Sequence, residues 1–202
     1  MKPFLHLLMW GLLGASTLSA QVKGVNPVNP SVDGQAQSPT YALVIGISDY
    51  QDTDIPDLSF AHRDAEAFAE YLRSPAGGEL DEDHLQVLLN EQATSGQVIA
   101  ALYWLLDECQ ENDRVILYFS GHGDVENKLR GEPGYLLCWN APSRVYPIGG
   151  TIGLGLLQNV ISTLSIDLKA RVTVITDACR AGKLAGSSIG GAQATAANLR
   201  QQ

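Results

Sequence analysis

Basic residues are scarce in this sequence, which carries 13 Lys and Arg against 22 Asp and Glu and has a formal net charge of −9. Binding to the phosphate backbone of nucleic acids normally depends on clustered Lys and Arg, so we expect no nucleic-acid partner. Only 17% of the residues are charged and 45% are hydrophobic, which excludes a disordered polyelectrolyte. The 202 residues are enough for one soluble, acidic domain with a buried core.

Cysteine is also rare, with three residues in the whole chain, Cys109, Cys138 and Cys179. Three thiols form at most one disulfide bond within the chain, which excludes a disulfide-rich scaffold and leaves at least one thiol free. We expect Cys109 and Cys138 to be small buried hydrophobic residues. Cys179 belongs to a motif of its own, which follows the last predicted strand.

Long apolar runs are missing after the first 20 residues. The apolar segment 4–15 follows a short basic start and is too short for the roughly 20 residues that span a bilayer. With the small residues after it, this segment predicts a secretory signal peptide over residues 1–20, with an uncleaved anchor as the alternative. We therefore expect a secreted or periplasmic protein without membrane attachment after cleavage. Residues 21–40, rich in Asn, Pro, Ser and Gln, predict a flexible leader.

In the rest of the chain, short apolar runs alternate with amphipathic segments, which predicts strands alternating with helices. The predicted strands are 41–47, 84–89, 114–119, 135–139 and 171–176, and the predicted helices are 61–72, 95–109 and 154–164. This alternation indicates an α/β fold with a parallel sheet covered on both faces. Ligands of such sheets bind at the carboxyl ends of the strands, where the topology switches. We expect the functional residues at that edge.

Two of these strands lead into residues that carry chemistry. The strand 114–119 is followed by Ser-Gly-His-Gly at 120–123, and the strand 171–176 by Asp-Ala-Cys-Arg-Ala-Gly at 177–182. Either motif alone is weak evidence, but together they place a base, His122, and a nucleophile, Cys179, at one edge of the sheet. A free thiol is only about 3% ionised at pH 7, so a neighbouring imidazole that takes its proton favours attack on a carbonyl.

This pair of residues suits acyl transfer, most simply peptide hydrolysis. The backbone N–H groups of Gly123 and Cys179 are candidate donors to the oxyanion that forms. Metal binding is the competing interpretation of a Cys and a His, but the sequence has no CxxC or HExxH spacing, and we expect no metal site. The histidines His62 and His84 are expected to be exposed near the starts of helices or strands.

The two motifs resemble the paired His and Cys motifs of the caspase-like cysteine peptidases. In the caspase pattern Q-A-C-[RQG]-G the His lies about 50 residues upstream. Here the separation is 179 − 122 = 57, Asp replaces Gln, and Ala181 precedes Gly182. These departures make the sequence more similar to metacaspases and their bacterial relatives, the orthocaspases. The segments Arg-Asp-Ala at 63–65 and Gly-Tyr-Leu-Leu at 134–137 also fit, so the resemblance covers residues 41–182.

The resemblance implies a three-layer α/β sandwich with a mostly parallel central sheet. It implies that His122 is the general base and acid, that Cys179 is the nucleophile, and that Gly123 and Cys179 donate to the oxyanion. Asp177 and Asp64 match acidic residues that line the specificity pocket of metacaspase-like enzymes. The expected substrates are therefore polypeptides with Arg or Lys before the scissile bond. Asp64 has a second interpretation, a carboxylate at a helix N-terminus that interacts with the helix dipole.

The resemblance also implies further strands after the catalytic Cys, whereas residues 183–202 predict only a loop or weak helix. We therefore expect residues 41–182 to be the large-subunit portion of the catalytic domain, in a chain that is a fragment or a truncated form lacking a C-terminal portion. A non-catalytic caspase-like module that binds proteins is the alternative function. No obligatory cofactor is expected. Metacaspase-like enzymes often need Ca²⁺, but the acidic run 81–83 lacks the spacing of a calcium loop and predicts a solvated turn.

Overall fold

Seven strands and three α-helices occupy residues 38–178, the part of the chain that the computed structural model describes. The strands are β1 (Thr40–Gly46), β2 (Leu85–Leu89), β3 (Arg114–Ser120), β4 (Gly123–Val125), β5 (Gly134–Leu137), β6 (Thr151–Gly153) and β7 (Arg171–Asp177), and the helices are α1 (Ala61–Arg73), α2 (Ser95–Glu108) and α3 (Leu154–Ser162). The predicted signal peptide and all but the end of the predicted leader lie outside the described residues. Thr40, the last residue of that leader, begins β1 instead.

The central sheet has four strands in the order β2-β1-β3-β7, and neighbouring strands are parallel. This arrangement confirms the predicted α/β fold with a parallel sheet, and the predicted strands and helices differ from the observed ones by at most two residues at either end. After β1 the chain forms β2 on one side and later β3 on the other. The topology therefore switches between β1 and β3, and the carboxyl ends of these two strands border the expected ligand crevice.

The central strand β1 is buried on both faces, because its apolar side chains alternate between two hydrophobic clusters. Ala42 and Val44 pack on the side of α1, whereas Leu43 and Ile45 pack on the side of α2 and α3. At the end of β1 the helix α1 comes very close to the sheet. A Cβ added at Gly46 would lie 2.4 Å from the Cβ of Ala65, so a glycine is needed there for α1 to begin beside the sheet edge.

The helices have the amphipathic faces that the sequence predicts. In α1 the buried residues are Ala61, Ala65, Ala69 and Leu72, and in α2 they are Val98, Ala101, Leu102 and Leu105. The start of α2 is fixed by a capping box, in which the side chain of Thr94 accepts the N–H of Gln97, an arrangement that contributes about 1 kcal/mol. Within residues 38–178, none of the helices is both long and apolar enough to cross a membrane.

A second, smaller sheet was only partly predicted. Strands β4, β5 and β6 pair antiparallel in that order, and of these only β5 matches a predicted strand, 135–139. The other two are three residues long, which is too short to show a periodic pattern in the sequence. The connection 126–133 between β4 and β5 is also too short for the crossover that parallel pairing requires, so these strands pair antiparallel.

Candidate active site

The two predicted catalytic motifs follow strands that end side by side at the carboxyl edge of the central sheet. The backbone N–H of Ile47, after β1, donates to the carbonyl of Ser120 at 2.9 Å, and Ser120 pairs with Asp177 in the register between β3 and β7. The N–H of Gly121 donates to the carbonyl of Asp177 at 3.2 Å. These bonds continue the sheet into the first residues of the two predicted catalytic motifs.

His122 is held by three hydrogen bonds. Its backbone N–H donates to the hydroxyl of Tyr50 at 2.8 Å, and its carbonyl accepts the N–H of Leu137 at 2.9 Å. Its Nε2 lies 2.7 Å from the carbonyl oxygen of Pro56. The half-buried imidazole is thus fixed at both its backbone and its ring.

The bond to Pro56 decides which ring nitrogen of His122 carries the proton. A carbonyl oxygen only accepts hydrogen bonds, so the hydrogen lies on Nε2. In the neutral imidazole, Nδ1 is then unprotonated and able to accept a proton. This arrangement gives a general base a defined tautomer and orientation.

The loop 48–58 supplies two of the three partners of His122, Tyr50 and Pro56, and hydrogen bonds within the loop fix its own conformation. The carboxylate of Asp57 accepts the N–H of Tyr50 at 3.3 Å, and the N–H of Leu58 donates to the carbonyl of Ser48 at 2.8 Å. Neither Tyr50 nor Pro56 was predicted as a site residue. They lie 72 and 66 positions from His122 in the sequence, and nothing in the composition of the loop indicates those contacts.

Tyr50 is buried beneath the imidazole, with 5.2 Å between the two ring centroids. Burial raises the pKa of its phenol, the bond from the His122 amide opposes that rise, and the nearby Cys138 and Asp57 add to it. The phenol is therefore neutral at pH 7 and accepts the hydrogen bond from the amide of His122.

Tyr50→Phe is expected to lower the free energy of unfolding by about 1–3 kcal/mol, because the amide of His122 loses its acceptor while the ring packing is kept. Denaturant unfolding followed by circular dichroism measures the change. Tyr103→Phe, which removes the hydroxyl of a tyrosine that is 54% exposed, is the matched control and should change stability by less than about 0.5 kcal/mol. Equal stability of the two variants would contradict the role assigned to the Tyr50 hydroxyl.

Gly123 lies in β4, and not in a loop as expected. It pairs with Leu136 in the register between β4 and β5. The N–H of Leu137 donates to His122, and the N–H of Glu126 donates to Pro133. Because hydrogen-bonded and non-hydrogen-bonded pairs alternate in an antiparallel ladder, Gly123 falls at a non-hydrogen-bonded pair. Its N–H therefore points away from β5.

Asp64 and Asp177 lie on the same side of the central sheet. Side chains alternate along β3, so Tyr118 and Ser120 are on the face that α1 covers. Asp177 pairs with Ser120 and shares that face. Asp64 lies in the first turn of α1, the helix that covers this face. Both carboxylates are exposed, and both raise the pKa of the Tyr118 phenol, although burial raises it more. The two acids are thus close enough to act on one group.

Cys179 lies outside the described residues, which end at Ala178. The other two cysteines are buried, as predicted, at 4% exposure for Cys109 and 0% for Cys138. Burial raises the pKa of the Cys109 thiol to about 11, with Asp113 contributing, and that of Cys138 to about 12. Both thiols are therefore un-ionised and inaccessible in the folded protein.

His62 and His84 differ from the expectation of simple exposure, since both are half-buried and hydrogen-bonded. The Nδ1 of His62 lies 2.7 Å from Oγ of the buried Ser48. The Nδ1 of His84 lies 2.6 Å from a carboxylate oxygen of Asp81. The acidic run 81–83 forms the predicted solvated turn, in which Asp81 also accepts the N–H groups of Asp83 and His84.

A family model described as the caspase domain matches residues 39–200. The chain belongs to the caspase-domain family. This match confirms the resemblance to caspase-like peptidases, and metacaspases are among the curated relatives. The three-layer arrangement of α1, the mostly parallel sheet, and α2 with α3 is the caspase-like sandwich that the resemblance implied.

Metacaspase-1 of Eremothecium gossypii is 26% identical over 170 residues, which are 78% of this chain and 36% of that protein. Metacaspase-1B of Aspergillus fumigatus is 30% identical over 94 residues, 44% of this chain and 22% of that protein. The chain therefore matches about a third or less of the length of these relatives. The crystal structure of protein GSU0716 from Geobacter sulfurreducens shares the fold, with a TM-score of 0.54 and 20% identity over 70% of this chain and 50% of that one.

Proposed function

We propose that this member of the caspase-domain family is a cysteine endopeptidase that hydrolyses peptide bonds after Arg or Lys. The observation that carries the proposal is the register between β3 and β7. Ser120 pairs with Asp177, and in the sequence His122 and Cys179 each follow by two residues. Adjacent strands lie about 4.8 Å apart, so this register supports a Cys–His pair at one sheet edge.

In the proposed reaction, the Cys179 thiol gives its proton to Nδ1 of His122, and the sulfur attacks the carbonyl carbon of the peptide bond. The negative charge that develops on the carbonyl oxygen is stabilised by the N–H groups of Gly123 and Cys179. The outward direction of the Gly123 N–H supports this role. The C–N bond then breaks, and His122 returns the proton to the leaving amine, which leaves a thioester on Cys179.

Water completes the proposed cycle. His122 takes a proton from the water molecule as its oxygen attacks the thioester carbon, and the proton passes to sulfur as the C–S bond breaks. The carboxylic acid product leaves and the thiol is restored. Throughout, the bonds to Pro56 and Tyr50 hold the imidazole so that only Nδ1 exchanges protons with the reacting groups.

The specificity for a basic side chain rests on Asp64 and Asp177. Both are exposed carboxylates on the α1 face of the sheet, and both influence the same phenol. Two negative charges favour a cationic side chain and disfavour the acidic side chain that caspases select. Polypeptides with Arg or Lys before the scissile bond are therefore the proposed substrates. Export through a signal peptide over residues 1–20 stays a prediction.

Irreversible labelling tests the proposal. A peptidyl-Arg acyloxymethyl ketone should form one adduct, on Cys179, detectable by peptide mass spectrometry. Cys109 and Cys138 should remain unmodified, because both are buried and have raised pKa values. The same probe with Asp in place of Arg is the specificity control, and Cys179→Ser is the site control. Labelling confined to Cys109 or Cys138 would contradict the peptidase and favour the non-catalytic binding module.

A further inference from the structure

Tyr118 lies on β3 two residues before Ser120, on the face that carries the proposed pocket. Its ring stacks on Phe68, with centroids 4.8 Å apart and ring planes 22° apart. Phe68 is one helical turn after Asp64 and therefore on the same side of α1. The Tyr118 ring thus packs against α1 next to the two acidic residues and further from the sheet edge than they are.

Tyr118 shares its face of β3 with Ser120, and Ser120 is the residue that pairs with Asp177 across the strands. The phenol therefore lies on the side of the sheet where both acids are. Burial, Asp64 and Asp177 all raise the pKa of the phenol, so the hydroxyl is neutral and lies in the field of both carboxylates. Tyr118 is only half-buried, so part of its side chain is accessible to solvent.

We propose that Tyr118 is a specificity-determining residue whose hydroxyl oxygen accepts an N–H from the substrate's guanidinium group, so that the pocket prefers Arg to Lys. This inference rests on the proposed function and goes beyond the two carboxylates that attract either cation. It assigns the choice between the two basic side chains to a neutral group.

The chemistry of the two side chains explains the direction of the preference. A guanidinium presents five N–H donors in one plane, whereas a lysine ammonium is a compact, strongly hydrated charge with three donors. Asp64 and Asp177 can neutralise either one. The Tyr118 hydroxyl is a third acceptor, which pairs with a guanidinium N–H that is otherwise buried without a partner. An unpaired buried donor weakens binding strongly.

The first test compares Arg and Lys reporter peptides of otherwise identical sequence. Tyr118→Phe should lower kcat/KM for the Arg peptide about tenfold and for the Lys peptide less than about threefold. Tyr41→Phe is the matched control, because it removes a phenol from β1 on the opposite face of the same sheet, and it should leave the ratio unchanged. An unchanged ratio in Tyr118→Phe would overturn the inference while leaving the peptidase proposal intact.

The second test measures binding without hydrolysis, so that it does not depend on the peptidase reaction. In Cys179→Ala, calorimetry should show agmatine, a guanidinium ligand, binding about tenfold more tightly than the diamine cadaverine. Adding Tyr118→Phe should remove that difference. A difference that survives, or the absence of agmatine binding, would overturn the assignment of Tyr118. Tyr118-dependent agmatine binding in a protein that cleaves neither reporter would support this inference and contradict the proposed hydrolysis.

Discussion

Replacing His122 with alanine is expected to lower kcat/KM for an Arg-terminated reporter peptide by about three orders of magnitude. The imidazole both removes the thiol proton and protonates the leaving amine, so both halves of the proposed reaction lose their proton carrier. Steady-state hydrolysis of a fluorogenic peptide measures the loss. His84→Ala, which removes a half-buried histidine paired with Asp81, is the matched control and should retain activity within about twofold.

The double variant His122→Ala with Cys179→Ala provides a stricter check on the same pair. Residues that act as one catalytic unit lose activity non-additively, so the double variant should be no slower than Cys179→Ala alone. Multiplied losses in the double variant would show that the two residues act independently. Unfolding curves should accompany the kinetics, because His122 also bonds to the loop 48–58 through Pro56.

Asp177→Asn is expected to lower kcat/KM for Arg and Lys peptides by about 100-fold while the unfolding free energy stays within about 0.5 kcal/mol. The substitution keeps the shape of the side chain but removes one of the two charges that are proposed to bind the substrate cation. Hydrogen bonds to charged groups contribute about 1.5–3 kcal/mol. Asp177 is exposed at the end of β7, so little folding energy depends on it. A lower unfolding free energy with an unchanged kcat/KM would contradict the pocket role of Asp177.

The substitution Asp64→Asn distinguishes a role of Asp64 in the specificity pocket from a role in stabilising the helix dipole. A pocket role requires a loss of about tenfold or more in kcat/KM for Arg peptides, whereas a helix-dipole role alone lowers only the unfolding free energy, by about 0.3–1 kcal/mol. Glu66→Gln removes the same charge from an exposed position two residues later in α1 and is the control. Equal kinetics in Asp64→Asn and Glu66→Gln would remove Asp64 from the pocket.

The central sheet could be predicted because its pattern is local. A strand buried on both faces, such as β1, is a continuous apolar run, and α1 and α2 repeat apolar residues at helical spacing. The candidate site could be predicted at the sheet edge because each motif follows directly on such a strand. For the same reason the ends of β3 and β7 were placed to within one residue.

The rest depends on contacts between distant parts of the chain. β4 and β6 exist only because β5 lies between them, and neither has enough residues to show its own periodicity. Two partners of His122, Tyr50 and Pro56, come from the loop 48–58, more than 60 positions earlier. The expectation that Gly123 lies in a loop was wrong for a related reason, since its strand is defined by pairing with Leu136.

The bond between Nε2 of His122 and the carbonyl of Pro56 has a consequence for variation in this protein. Every amino acid carries a main-chain carbonyl, so no exchange of one residue type for another at position 56 can delete that acceptor. Only a change in the path of the loop, through an insertion, a deletion or a loss of its anchors, can withdraw it. The residues of the loop 48–58 can therefore differ widely between related proteins while His122 keeps the same tautomer. The length of this loop in related sequences indicates whether the bond is kept better than the identity of its residues does.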